Sequence, residues 1–209
     1  MRKGDYMQTH SGLPFWAEDV KKTDIILEDI VACLPKICRY AGNTKKFYSV
    51  AEHSIRMSLA FPEFSKIALL HDAVEAYIGD IPSPVKNLSS EINLIEDNIL
   101  FEIYSKYDVI PYATYGKDEI IPIHGLVTAF ITVKDIIKKM DLSMLAYEKN
   151  HPEIMGGSRL EWECIKGVEI PTFQFGRWVL SDSCLTMEDA GIIFQDMINV
   201  EFNRDINIW

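Results

Sequence analysis

The stretch ALLHDAVEAYIGD, residues 68–80, constrains the chain more than any other. Ile67, Leu70, Val74 and Ile78 repeat at helical spacing, which predicts a helix with that stripe turned into a core. His71 falls on the same stripe, and Glu75 follows it by four residues and Asp72 by three, so one face carries an imidazole and two carboxylates. Gly79 and the prolines of GDIPSPVK then stop the helix, leaving Asp80 at its end. A buried carboxylate without a partner costs several kcal/mol. Whatever the chain folds into must therefore supply these side chains with one.

The remaining pattern is mostly helical. A first helix is predicted from about Leu27 to Tyr40, kinked or broken at Pro35. Ser49 and Glu52 form a capping box that opens a second helix through about Ala60. Long helical patterns run from about Ser89 to Tyr107 and from about His124 to Asn150, joined by a connection. A last helix is expected from about Glu188 to Phe202, capped by Thr186. The opening DYMQTHSGLPFWAED reads as a short hairpin or extended arm anchored by Phe15 and Trp16. From His151 to Cys184 the pattern allows either a loop or a small hairpin. The expectation is one all-α domain over residues 1–209, with a core over about 26–150 and a C-terminal extension over about 151–209.

Composition narrows the function. With 209 residues, 48% of them hydrophobic, the chain can build a real core. A net charge of −10 lacks the basic face that nucleic-acid polymers require. No apolar run reaches membrane-span length and the N-terminus has no signal-peptide core, so a cytoplasmic protein is expected. Cys33, Cys38, Cys164 and Cys184 show no CxxC spacing and read as reduced thiols.

Two further helices offer inward polar groups. His53 shares a face with Met57 and Ala60, and Asp141 lies among Ile137, Met144 and Leu145. Taken singly, His53 or His71 fits a satisfied core histidine, and Asp141 fits an ion pair with Lys138. Taken together, His53, His71, Asp72 and Asp141 form a mixed nitrogen and oxygen donor set suited to one divalent cation. His10, His124 and His151 do not join this pattern.

The order His53, His71-Asp72, Asp141 resembles the metal-binding pattern of the HD-domain phosphohydrolases. The blocks CRYAGNTKKFYSVAEHS, ALLHDAVEAYIGDIPSPVK and IIKKMDLSMLAYE are similar to those of the YfbR-like 5'-deoxynucleotidases and the related phage dATP triphosphohydrolases, over about residues 6–150. The resemblance implies a helical HD bundle in which His53, His71, Asp72 and Asp141 hold one divalent ion (Mn, Co, Fe, Mg or Zn). It implies that Glu75 and Asp80 are the catalytic carboxylates, that Arg39 contacts phosphate, and that Lys86 faces it. Tyr40 stands where several relatives have a Trp that crowds the sugar 2' carbon. The implied activity is hydrolysis of deoxynucleotide phosphate esters, on a dNMP or on a dNTP such as dATP, by a homo-oligomer. An HD-type phosphodiesterase or alarmone hydrolase, or a non-catalytic nucleotide- or metal-binding module, are the alternatives.

Overall fold

The computed structural model describes residues 2–109, 123–157, 160–173 and 182–209. Two short antiparallel strands, β1 (Met7–Gln8) and β2 (Pro14–Phe15), make the opening a hairpin. Asp29 accepts the backbone N–H of Ser11 at 2.6 Å and its hydroxyl at 3.1 Å, which fixes the hairpin tip. Phe15 is fully buried and stacks on Tyr77 at 4.3 Å, so it anchors the arm.

Among the described residues the α-helices are α1 (Leu27–Cys33), α2 (Val50–Ala60), α3 (Ser65–Leu70), α4 (Glu75–Ile78), α5 (Ser83–Lys86), α6 (Ser90–Lys106), α7 (Ile123–Asn150) and α8 (Met187–Phe202). The first helix is shorter than its periodicity predicts. Pro35 cannot donate a backbone hydrogen bond, so α1 gives way at Cys33 to a 3-10 turn, Leu34–Lys36. The chain then runs extended at Ile37 and Cys38, and Cys38 bridges to Ser49. Arg39 and Tyr40 therefore sit on a turn.

Ser49 caps α2 by accepting the Glu52 N–H at 3.0 Å. The Glu52 carboxylate does not return to the cap. It is fully buried, pairs with Arg56 at 2.7 Å and accepts the Leu185 N–H at 3.0 Å. Arg56 also donates to the Ser183 carbonyl at 3.0 Å and to the Tyr147 hydroxyl at 3.2 Å. This buried pair ties α2 to α7 and to the segment that leads into α8.

Thr186 caps α8 as expected, accepting the Asp189 N–H at 3.1 Å. The chain end folds back over this helix, with the Ile208 N–H on Gln195 Oε1 at 2.6 Å and the Trp209 indole N–H on the Val31 carbonyl at 3.2 Å. Gly191 makes room for that indole: a Cβ there would lie 2.4 Å from it. The core unites Ile30 and Leu34, Ile55 of α2, Leu69 and Leu70 of α3, Ile99 and Ile103 of α6, Val133 of α7 and Phe194 of α8.

After α7 the described residues 151–157 and 160–173 form a strap. It holds a 3-10 turn, Glu163–Ile165, and no strand among its described residues. Most of the expected hairpin alternation, and the connection before α7, lie outside the described residues. No described helix is long and apolar enough to cross a membrane.

Candidate metal centre and its cleft

The helix predicted through residues 67–78 is interrupted where its titratable residues begin. His71 Nδ1 takes the Ala68 carbonyl at 2.7 Å, and the backbone tightens to i→i+3 bonds: Ala73 N–H to Leu70, Glu75 N–H to Asp72 and Tyr77 N–H to Val74. With three residues per turn, side chains three apart eclipse. Asp72 and Glu75 are thus placed over one another, closer than in a regular α-helix. Gly79, at φ +78, then reverses the chain so that the Asp80 carboxylate accepts the Tyr40 N–H at 2.8 Å.

Four donor atoms from three helical segments converge. His53 Nε2 lies 3.1 Å from His71 Nε2, 3.2 Å from Asp141 Oδ1 and 3.8 Å from Asp72 Oδ2, and His71 Nε2 lies 3.0 Å from Asp72 Oδ2. His53, His71 and Asp141 can each offer one ligand atom within 4.8 Å of the others. Both histidines are buried, and Asp141, although half-exposed to a cleft, has its Oδ1 buried without a hydrogen-bond partner.

The tautomers follow from the other ring nitrogens. His53 Nδ1 faces the carboxylate of Glu148 at 2.5 Å and His71 Nδ1 faces a carbonyl, so both Nδ1 atoms carry the protons. Without a metal, His53, raised to about 9, also holds a proton on Nε2, which faces Asp141 Oδ1; a metal would displace that proton and leave both Nε2 lone pairs turned toward the carboxylate oxygens. Once that proton leaves, the set repels itself unless a cation stands among its members, and the donor types suit a divalent metal. Charge agrees: Asp72, Asp141 and Glu148 are held ionised, and the buried guanidinium of Arg39 with the His53 imidazolium offsets two of these three negative charges, leaving one over.

Each shift has a cause. Burial alone would raise Asp72, but His71, Arg39 and His53 outweigh it and hold the carboxyl far below its usual range. Burial likewise opposes Glu148, yet His53 and Arg39 bring it down to about 2. Burial and Arg39 depress His53, and Glu148 and Asp141 more than compensate, lifting it to about 9. Glu75 goes the other way: burial, Asp72 and Asp80 push it well above its ordinary value, and its Oε2 is buried without a partner. Burial and Asp72 raise Asp80 as well.

Arg39 donates to Asp72 Oδ2 at 2.7 Å and reaches Asp141 Oδ1 at 3.5 Å. Tyr40 follows in the left-handed region, φ 57, as does Ala41, φ 50. Such strain persists where surrounding contacts over-determine it, and the Tyr40 hydroxyl is bound by Glu148. Lys86 is held by Glu96 at 2.7 Å; burial lowers its pKa, and the bond to Glu96 with the charges of Glu96, Asp72 and Glu75 together outweigh it. Lys46 is paired with Glu153.

The sequence reading missed Glu148. It is fully buried and joins His53, Tyr40 and, at 2.6 Å, the Tyr48 hydroxyl. Its signal was its place seven residues after Asp141, two turns along the same face.

A cleft of about 1000 Å³ opens against this cluster. Arg39, Tyr40, Asp80 and Asp141 line it, together with the apolar Leu142, Leu145, Met155 and Trp162.

Fold and site together define a mostly helical protein with a buried two-histidine, carboxylate-rich centre beside a cleft. The chain is 34% identical over 164 residues to the uncharacterized protein YfdR of Escherichia coli (strain K12), covering 78% of this chain and 80% of that protein, and it belongs to the YfdR family. It is also 38% identical over 78 residues to an uncharacterized protein of Rhodobacter capsulatus, covering 32% of this chain and 40% of that protein. No protein-family model matches the chain.

Proposed function

We propose that the chain is a divalent-metal-dependent phosphohydrolase of the HD type that cleaves phosphate esters of 5'-deoxynucleotides, a dNMP or a dNTP such as dATP. One observation carries the reading: the two imidazole Nε2 atoms and an Asp141 oxygen lie within 4.8 Å of one another, Asp141 Oδ1 has no hydrogen-bond partner, and Asp72 Oδ2 lies 3.0 and 3.8 Å from the two Nε2 atoms. The order of these residues in the chain, the basis of the HD resemblance, supports it.

A cation held by His53, His71, Asp72 and Asp141 would polarise a phosphoryl oxygen and acidify water. The chain's own groups supply the rest. Arg39 lines the cleft with a planar guanidinium suited to two phosphate oxygens. Lys86 adds positive charge near Asp72 and Glu75. Glu75 and Asp80, both raised by burial, hold protons more readily than ordinary carboxylates, one taking a proton from water and the other serving the leaving 5' oxygen. Tyr40, its ring fixed through Glu148, crowds the sugar and disfavours a 2'-hydroxyl.

The test is chromatographic product analysis after incubating the purified protein and Mn or Co with dAMP, dATP and their ribose counterparts. The expected products are deoxyadenosine with phosphate from dAMP, or deoxyadenosine with intact triphosphate from dATP. Neither product, with metal verified as bound, overturns the reading.

A further inference from the structure

The cleft, at about 1000 Å³, far exceeds what a phosphate group needs. Along α7, Lys138, Asp141, Leu142 and Leu145 recur at i, i+3, i+4 and i+7, so one stripe of that helix lines it. At about 1.5 Å per residue, Leu145 stands roughly 6 Å beyond Asp141 toward the helix C-terminus. The apolar part of the cleft is thus displaced from the metal cluster along the helix axis.

The strap completes that part. The Gly157 N–H donates to the Lys149 carbonyl at 3.1 Å, and Ser143 Oγ donates to the Glu169 carbonyl at 2.6 Å, so the strap runs back along α7 from residue 149 toward 143. Trp162 lies between these anchors in the chain, just before the buried Ile165. At its other end the strap is clipped to the loop after Tyr40, with the Lys45 N–H on the Ile154 carbonyl at 2.7 Å and the Lys46 N–H on the Glu153 carbonyl at 2.9 Å. Trp162 and Met155 are therefore held beside Leu142 and Leu145 by both neighbours of the strap.

We propose that Trp162, with Met155, Leu142 and Leu145, forms a subsite that receives the planar heterocycle of the substrate while its phosphate lies at Arg39 and the metal cluster. The subsite rests on the phosphohydrolase reading and extends it to the class of group carried by the ester. An indole, a thioether and two leucines offer a flat aromatic face a large contact and offer a hydroxylated group few partners. Stacking tolerates every base, because every base has a π-face. The enzyme therefore accepts different bases, with purines ahead of pyrimidines because their larger rings cover more of the indole.

The experiment compares the wild type, Trp162→Ala and Trp162→Phe, all loaded with Mn, on dAMP and on 2-deoxyribose 5-phosphate, the same ester without a base. Expected is a rise in KM for dAMP on the order of tenfold in Trp162→Ala. Its kcat stays near wild type, kinetics on the base-free ester do not change, and Trp162→Phe recovers most of the loss. Equal effects on both esters, or an unchanged KM for dAMP, overturn the subsite. If the wild type turns over neither ester, the phosphohydrolase reading fails, and calorimetric titration with deoxyadenosine decides the subsite separately. Binding that Trp162→Ala abolishes supports it, and absent or unaffected binding overturns it.

Discussion

His53 Nδ1 and Glu148 Oε1 lie 2.5 Å apart in the interior, and Glu148 reaches the hydroxyls of Tyr40 and Tyr48 from the same carboxylate. One side chain therefore orients the ring of a candidate metal ligand and fixes the position of the ring that the proposed function sets against the sugar. Carboxylates that hold ligating imidazoles tune metal affinity without touching the ion. Glu148→Gln keeps the shape but loses the charge, and is expected to weaken Mn affinity about 10- to 100-fold by calorimetry. Unchanged affinity would mean that Glu148 serves the fold alone.

The same pair predicts a pH window for the metal-free protein. His53 is raised from 6.5 to about 9, so its contribution is complete below 6.5 and is lost as pH climbs through 9. Glu148 is lowered from 4.5 to about 2, so its contribution is complete above 4.5 and is lost as pH falls toward 2. Thermal unfolding of the metal-free protein should show this pair's stabilisation intact between pH 4.5 and 6.5 and declining on both sides. Glu148→Gln should flatten both limbs, and a variant with the wild-type profile would contradict the assignment. Because metal displaces the His53 proton, apparent Mn affinity should also rise from pH 6 to pH 8.

Glu75 and Asp72 are three residues apart, yet different losses are expected from them. Asp72→Ala should abolish metal retention and turnover together. Glu75→Gln should retain metal, measured by atomic emission after gel filtration, and lose turnover by roughly 10²- to 10⁴-fold. Loss of metal from the Glu75 variant would place its carboxylate among the ligands.

Away from the site, Gly191 tests the C-terminal clamp. A methyl group there would meet the Trp209 indole at 2.4 Å. Gly191→Ala should lower the stability measured by urea unfolding by about 1–3 kcal/mol. A variant that unfolds at the wild-type midpoint would show that the chain end is not packed on α8.

Much of this architecture was legible in local signals. Ser49 and Thr186 each cap the helix their sequence context predicts, and Ser89, expected as the start of its helix, caps it. His53, His71, Asp72 and Asp141 stood out because polar residues on apolar stripes need partners, and they find one another. What escaped the sequence was non-local. Glu148 resembles any acidic residue near a helix end until the fold brings His53 and two tyrosines to it. The i→i+3 tightening at His71 depends on a side chain capturing the Ala68 carbonyl, which helical periodicity does not encode. Glu52 looked like the return arm of a capping box, but burial beside Arg56 claimed it.

The strap carries a consequence for how such a chain changes over generations. The metal-cluster residues stand on helices that share one core, so altering their placement disturbs the whole molecule. Trp162 and Met155 stand on a segment joined to the body by a few backbone bonds. Substitution and insertion are cheapest there. On the proposed reading, a lineage can therefore exchange one preference for another by rewriting the strap, while inheriting the candidate metal centre unchanged.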